Sequence, residues 1–209
     1  MKKAIIIGAG TYGQVYAEYL KKKYDIIGYV DDAENLQGQI VNGIKVIGNR
    51  TTLLKDIERN VSVFAPIGNN AIRTNLLEEL TKEGFETPSF IHPNTIIHES
   101  VILGKAIYIL PGTNIMPCTE IKDFTMISMG VNIAHHNLIE KGCFFSQGSN
   151  IGASIHINEQ AYFGIASTAM TGIKEVGKNT LIGAGAVVIK DVPDNAVVAG
   201  VPAKVLKFK

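Results

Sequence analysis

From Ile91 to Phe163 a bulky apolar residue occupies every sixth position without a break: Ile91, Ile97, Leu103, Ile109, Ile115, Ile121, Ile127, Ile133, Ile139, Phe145, Ile151, Ile157 and Phe163. A helix repeats at about 3.6 residues and a strand at about 2, so neither demands a period of six. A left-handed parallel β-helix does. Each hexapeptide forms one flat side of a triangular coil, and three sides, about eighteen residues, complete a turn. The period slips by one residue after Ala169 and resumes at Val176, Ile182 and Val188.

Two positions before most of these large residues stands a small or β-branched one: Thr95, Thr113, Thr119, Thr125, Val131, Ser149, Ala161. Large and small residues stacked like on like fill a narrow prism. Gly104, Gly112, Gly130, Gly142 and Gly148 recur where the coil must turn, often at positive φ. Cys118 and Cys143 also fall at repeat positions suited to small buried residues. With no CxxC pair, two cysteines suggest neither a disulfide framework nor zinc.

The first ninety residues follow another pattern. A short apolar strand, Ala4–Ile7, runs into Gly8-Ala9-Gly10-Thr11-Tyr12-Gly13, then a helix over about Tyr12–Lys23, then a strand Ile26–Val30 ending in Asp31-Asp32. Glycines there let the backbone approach a phosphate, a helix N-terminus stabilises its charge, and the acid meets a sugar hydroxyl. Another strand, Ser62–Ala65, leads through Pro66-Ile67-Gly68-Asn69-Asn70 to a helix ending near Glu83, with Arg73 on its first turn. One mononucleotide-binding half suits a nucleotide-sized ligand better than NAD, which needs two halves. We therefore expect a half-Rossmann α/β domain over residues 1–88, with Phe85–Phe90 as hinge, and a left-handed β-helix over 89–209.

Charge excludes some functions. The formal net charge is +1, and Arg50, Arg59 and Arg73 are the only arginines. The footprint of a nucleic-acid binder is absent. The apolar run after Met1-Lys2-Lys3 ends at Gly8, which reads as a strand rather than a leader, and no segment approaches membrane-spanning length. The expected compartment is cytoplasmic.

Of five histidines, His135-His136 falls at a coil corner just after Ile133, where side chains point outward. Histidine is the usual general base near neutral pH. Metal ligands stacked on one coil face should differ by multiples of about eighteen. His98, His135 and His156 do not, so no metal is expected. Small residues in the tail, Gly183-Ala184-Gly185-Ala186 and Gly200-Val201-Pro202-Ala203, would expose backbone amides to a thin ligand such as pantetheine. Lys190 and Lys204 are candidates for CoA phosphates.

Over essentially its whole length the chain resembles the two-domain hexapeptide-repeat sugar acyltransferases. These include bacterial nucleotide-4-amino-sugar N-acetyltransferases and sialic acid O-acetyltransferases. The resemblance rests on Gly8-Ala9-Gly10 with Gly13, Val30-Asp31-Asp32, Ile67-Gly68-Asn69-Asn70 with Arg73, Ile91-His92-Pro93, and the Gly183…Lys204 ending. It implies that His135 is the general base, with His136 where an acid usually stands, Ser128 in place of an asparagine, and Tyr12 in place of a histidine. It implies a nucleotide on Gly10, Thr11, Asp31, Asp32 and Gly68, with Tyr12, Asn69 and Arg73 alongside. It further implies acetyl-CoA near Phe144, Ile165 and Ala184, and a homotrimer with active sites between subunits. The expected reaction is acetyl transfer from acetyl-CoA to the amine of a nucleotide-linked amino sugar. The alternatives are O-acetylation of a sialic acid or sugar hydroxyl, and a non-catalytic ligand-binding scaffold.

Overall fold

The computed structural model describes residues 1–209, which divide into two compact units, Met1–Pro88 and Ser89–Lys209. The first unit runs β1 (Lys2–Ile7), α1 (Thr11–Leu20), β2 (Tyr24–Val30), β3 (Ile40–Val41), β4 (Ile44–Gly48), α2 (Arg50–Asp56), β5 (Ser62–Phe64) and α3 (Asn70–Lys82). Its sheet has the order β3-β4-β2-β1-β5. The central strand reads as unbroken apolar sequence because it is buried on both faces: Ala4, Ile5 and Ile6 have no exposed surface. β1 pairs in parallel with β2 on one side and with β5 on the other. That reversal is a topological switch point, and ligand crevices in such sheets open at the carboxyl ends of the strands flanking it. β3, β4 and α2 were not expected from the sequence.

In the second unit each hexapeptide from Phe90 to Val188 contributes a two-residue strand, and these strands stack into three parallel sheets. The first side includes Asn114–Ile115, Asn132–Ile133 and Asn150–Ile151. The second includes Glu120–Ile121, Leu138–Ile139 and His156–Ile157. The third includes Met126–Ile127, Phe144–Phe145 and Tyr162–Phe163, and closes with Ala196–Ala199 paired antiparallel to Lys204–Phe208. Ile133 pairs with Ile151, one eighteen-residue turn on, whereas His156 pairs with Glu175, nineteen on. The coil therefore holds one extra residue. Ile155 lies two places before its inward partner Ile157, but Ile173 lies three before Val176, with exposed Lys174 between. Asp191 holds this bulge: its Oδ1 accepts from the Lys174 and Glu175 amides at 2.7 and 3.1 Å. Those two hydrogen bonds hold the Asp191 carboxyl below its usual range.

The large residues of the six-fold series fill the coil, with Phe145 and Phe163 stacked at 4.9 Å. The small positions do a second job. Thr113 Oγ1 donates to the Leu110 and Ser128 carbonyls at 3.0 Å, and Ser149 Oγ to that of Ser146 at 2.9 Å. These hydroxyls satisfy corner carbonyls that water cannot reach. Cys143 fits the expected small buried position, but Cys118 does not: it is exposed on a corner at φ 60°. Gly104 also differs from expectation. A side chain there would meet Asp123 Oδ1 at 2.3 Å and the Asp123 amide nitrogen at 2.6 Å, so close approach rather than positive φ requires glycine.

Candidate functional site

Three places gather the candidate residues. The first is the switch-point crevice. Gly8-Ala9-Gly10 leaves β1, and Gly10 takes the N-cap position of α1 with nothing within 4 Å of where its Cβ would be. Gly13 is glycine because a Cβ there would lie 1.8 Å from the Gly8 carbonyl oxygen, so helix and loop touch directly. Thr11 is exposed on the first turn. The loop after β5 carries Gly68, and the Tyr12 ring lies alongside it, 3.7 Å from where its Cβ would be. The crevice next to these loops, about 350 Å³, is lined by Gly8, Asp31, Asp32, Arg50, Ile67 and Asn75, among others.

Within this crevice some side chains have work of their own. Asp31 Oδ2 accepts from the Ala9 amide at 2.8 Å and Oδ1 from the Ala33 amide at 2.9 Å, so it shapes the glycine loop. Asp32 Oδ1 accepts from the Arg50 amide at 2.9 Å. Asn69 caps α3, accepting from the Ile72 amide at 3.0 Å. Arg73 corrects the expectation of a ligand contact. It has no exposed surface, and its guanidinium donates to the Ile67 carbonyl at 2.7 Å and to Asn70 Oδ1 at 2.9 Å. It holds the Gly68 loop from within. Arg50, which the sequence motifs do not single out, reaches the crevice from the first turn of α2, where Asn49 Oδ1 accepts from the Thr52 amide as N-cap.

The second place is the corner after Ile133. His136 has φ 55°, which turns the chain there, and both His135 and His136 are exposed. Their Nδ1 atoms are 3.0 Å apart, so one ring donates and the other accepts. The corner is locked to its neighbours: the His136 amide donates to the Pro117 carbonyl at 3.1 Å, and the Ser154 amide to the His135 carbonyl at 3.0 Å. His135 lines a cleft of about 570 Å³ with Met116, Ser154, Thr171 and Lys174. Lys174 enters only because the extra residue bulges out, which the one-residue slip in the sequence signals. Ser128 is buried rather than part of this cleft.

The third place is the far end of the coil. Ile165, half-exposed, sits on the corner stacked against exposed Ala184: a Cβ on Gly164 would be 2.7 Å from the Ala184 nitrogen, and the Gly185 amide donates to the Ile165 carbonyl at 2.8 Å. Lys190 and Lys204 line one cleft of about 380 Å³. Phe144 departs from its expected role. Its ring is buried and stacked on Tyr162 at 4.9 Å, so it offers no free face to a ligand. No group of three or more His, Cys, Asp or Glu is placed to hold a metal ion, and no helix is long and apolar enough to cross a membrane.

Residues 3–80 match the family model of the PglD N-terminal domain. GDP-perosamine N-acetyltransferase of Escherichia coli O157:H7 is 28% identical over 97% of this chain and 95% of its own length. The crystal structure of PerB from Caulobacter crescentus with CoA and GDP-perosamine superposes with a TM-score of 0.90 at 28% identity, over 99% of this chain and 98% of that one. The acetyltransferase domain of PglB from Neisseria gonorrhoeae FA1090, solved with acetyl coenzyme A, matches at 31% identity and a TM-score of 0.90, over 98% of this chain and 99% of that one. With an N-terminal unit of that family, a hexapeptide coil after it and an acetyltransferase domain 31% identical along nearly its whole length, the chain belongs to the hexapeptide-repeat nucleotide-sugar acetyltransferases.

Proposed function

We propose that the chain transfers the acetyl group of acetyl-CoA to the amino group of a nucleotide-linked amino sugar, for a cell-surface polysaccharide. The full-length likeness to an enzyme crystallised with CoA and GDP-perosamine carries this reading. In it, the first unit holds the nucleotide in the crevice beside Gly10, Thr11, Tyr12, Asp32 and Gly68, which Arg50 also lines with its guanidinium paired to Glu79. The residues at the far end of the coil suit acetyl-CoA: bare corners at Ile165 and Ala184 fit a thin pantetheine, and Lys190 and Lys204 share a cleft where phosphates would be held.

His135 acts as the base. Its Nδ1 is engaged by His136, which leaves Nε2 for the acceptor. As the sugar nitrogen bonds to the thioester carbonyl carbon, His135 Nε2 takes the proton that nitrogen loses. The C–S bond then breaks, its electron pair leaves with sulfur, and the imidazolium returns the proton to that sulfur. No covalent enzyme intermediate is required if the amine is well positioned.

Copies of the chain assemble as a homotrimer with each active site completed by a neighbour. The first side of the coil supports this. Its Asn114, Asn132 and Asn150 amides form a ladder joined by hydrogen bonds of 2.9 Å, rimmed by exposed Ile96, Met116, Met129 and Met170. We place the reaction in the cytoplasm, where acetyl-CoA and nucleotide sugars are made.

The test is thiol release from acetyl-CoA against a panel of nucleotide amino sugars. The acetylated product should survive mild alkali, as an amide does. An alkali-labile product would reveal an O-acetyl ester, and absence of thiol release with every acceptor would remove the enzyme reading.

A further inference from the structure

The His135–His136 contact imposes a choice that a carboxylate partner would not. An Nδ1···Nδ1 hydrogen bond of 3.0 Å needs one nitrogen carrying hydrogen and one bare. If His136 donates, the His135 hydrogen sits on Nε2, and His135 has no lone pair to offer the acceptor. If His136 accepts, the His135 hydrogen sits on Nδ1, and Nε2 is a base. Only the second arrangement is compatible with the proposed role of His135, and the inference rests on that reading.

We propose that His136 is a positioning residue that supports the productive tautomer of His135 by accepting its Nδ1–H, and that the left-handed corner is what makes this possible. Adjacent side chains on an extended strand point to opposite faces. At φ 55° His136 instead turns back toward its neighbour, and the two rings meet edge to face at 5.1 Å. The corner is pinned on both sides by the Pro117 and Ser154 backbone, so the geometry belongs to the fold rather than to two wandering side chains. When His135 takes a proton on Nε2, its Nδ1–H can strengthen the bond to His136, and the pair carries a single positive charge beside the reacting carbonyl. A carboxylate at 136 would leave the pair neutral at that moment. His136 thus does the orienting work of an acid at the cost of populating the unproductive arrangement as well.

The same corner supplies clean variants. Glycine tolerates φ near 55° without strain and lacks an acceptor; Asp visits this region more readily than alanine and is always an acceptor when ionised. His136→Gly should lower kcat by about ten- to hundred-fold, the usual cost of losing a group that orients a functional histidine. It should leave KM for acetyl-CoA and for the nucleotide sugar within about twofold. His136→Asp should restore kcat to at least the parent value. Independently of activity, ¹⁵N chemical shifts of the His135 ring should report the Nδ1–H form in the parent and in His136→Asp, and a loss of that form in His136→Gly. Parent-like kcat in His136→Gly, or identical His135 ring shifts in all three proteins, would overturn the positioning role. His135→Ala with undiminished thiol release would instead remove His135 as the base, which separates failure of this inference from failure of the reading beneath it.

Discussion

Arg73 shows how far one side chain can depart from what its charge suggests. A first-turn arginine beside a glycine loop invites a phosphate, yet this one is buried and spends its guanidinium on the Ile67 carbonyl and Asn70 Oδ1. Removing it would strand those acceptors in a dry site and leave a cavity. Arg73→Met should therefore destabilise the protein by about 2–4 kcal/mol, visible as a lower midpoint in thermal unfolding. A residue that merely touched the ligand would leave that midpoint unchanged and raise KM alone. His135 gives the opposite result. It is exposed, so His135→Ala should leave the unfolding midpoint unchanged and acetyl-CoA affinity nearly intact, while kcat falls by about two to four decades, as for a lost general base. Neither distinction is legible in the sequence, because burial of a guanidinium depends on which local carbonyls turn inward. The pairing of His135 with His136 is equally hidden. It follows from the sign of one φ angle.

At the scale of the element, each coil turn repeats the same constraints, and that is why the architecture could be read from spacing alone. Thirteen large residues in one phase leave no other backbone able to bury them together. The strands and helix of 40–56 offered no such signal. Ile40–Val41 is a two-residue strand, largely solvent-facing, and Ile44–Gly48 is only partly buried, so neither shows a clean alternation. Corners are also partly opaque, since glycine serves there for two different reasons. Gly130 has φ 67° with open space around its absent Cβ, so Gly130→Ala should cost only the backbone strain, about 1–2 kcal/mol. Gly104 faces Asp123 and the next turn's backbone, and Gly104→Ala should cost about 3 kcal/mol through overpacking. Chemical denaturation at matched protein concentration would rank the two; a reversed order would mean the coil turns can separate more freely than their hydrogen bonds imply.

For the whole molecule, the proposed trimer gives the exposed rim of the first side something to pack against. Ile96 is 71% exposed and Met129 55%, on a prism whose interior is otherwise dry. Large apolar side chains grouped along one flat face suit a symmetric partner. Sedimentation at micromolar concentration should give about three chain masses. A clean monomer would leave His135 in an open groove and would require the acceptor to be held by one chain alone.

The single extra residue at Lys174 has a consequence for how such a coil can be edited. A stacked coil behaves like a one-dimensional crystal, and an added unit can enter as a dislocation, which throws everything beyond it out of phase, or as an interstitial, which the lattice swallows locally. Here it is an interstitial: Glu175 still stacks on His156, Leu181 on Tyr162 and Val187 on Thr168, as if nothing had been added. Deleting Lys174 would place Ile173 two residues before Val176, the spacing that Ile155 already has before Ile157. The shortened chain should fold with a similar unfolding midpoint and bind acetyl-CoA as before, because the proposed acetyl-CoA site at the Ile165–Ala184 corner stacks closely despite the bulge. Acetyl transfer should nonetheless fall by up to about a hundredfold, as expected when one wall of the proposed reaction cleft is displaced by about an ångström. Calorimetry with acetyl-CoA alongside a thiol-release assay would separate the two effects, and a simultaneous collapse of both would mean that the defect, once removed, had carried the phase of the coil after all. If the two do separate, the extra residue is where the chain keeps its freedom to change what it acts on while the neighbouring stacks stay the same.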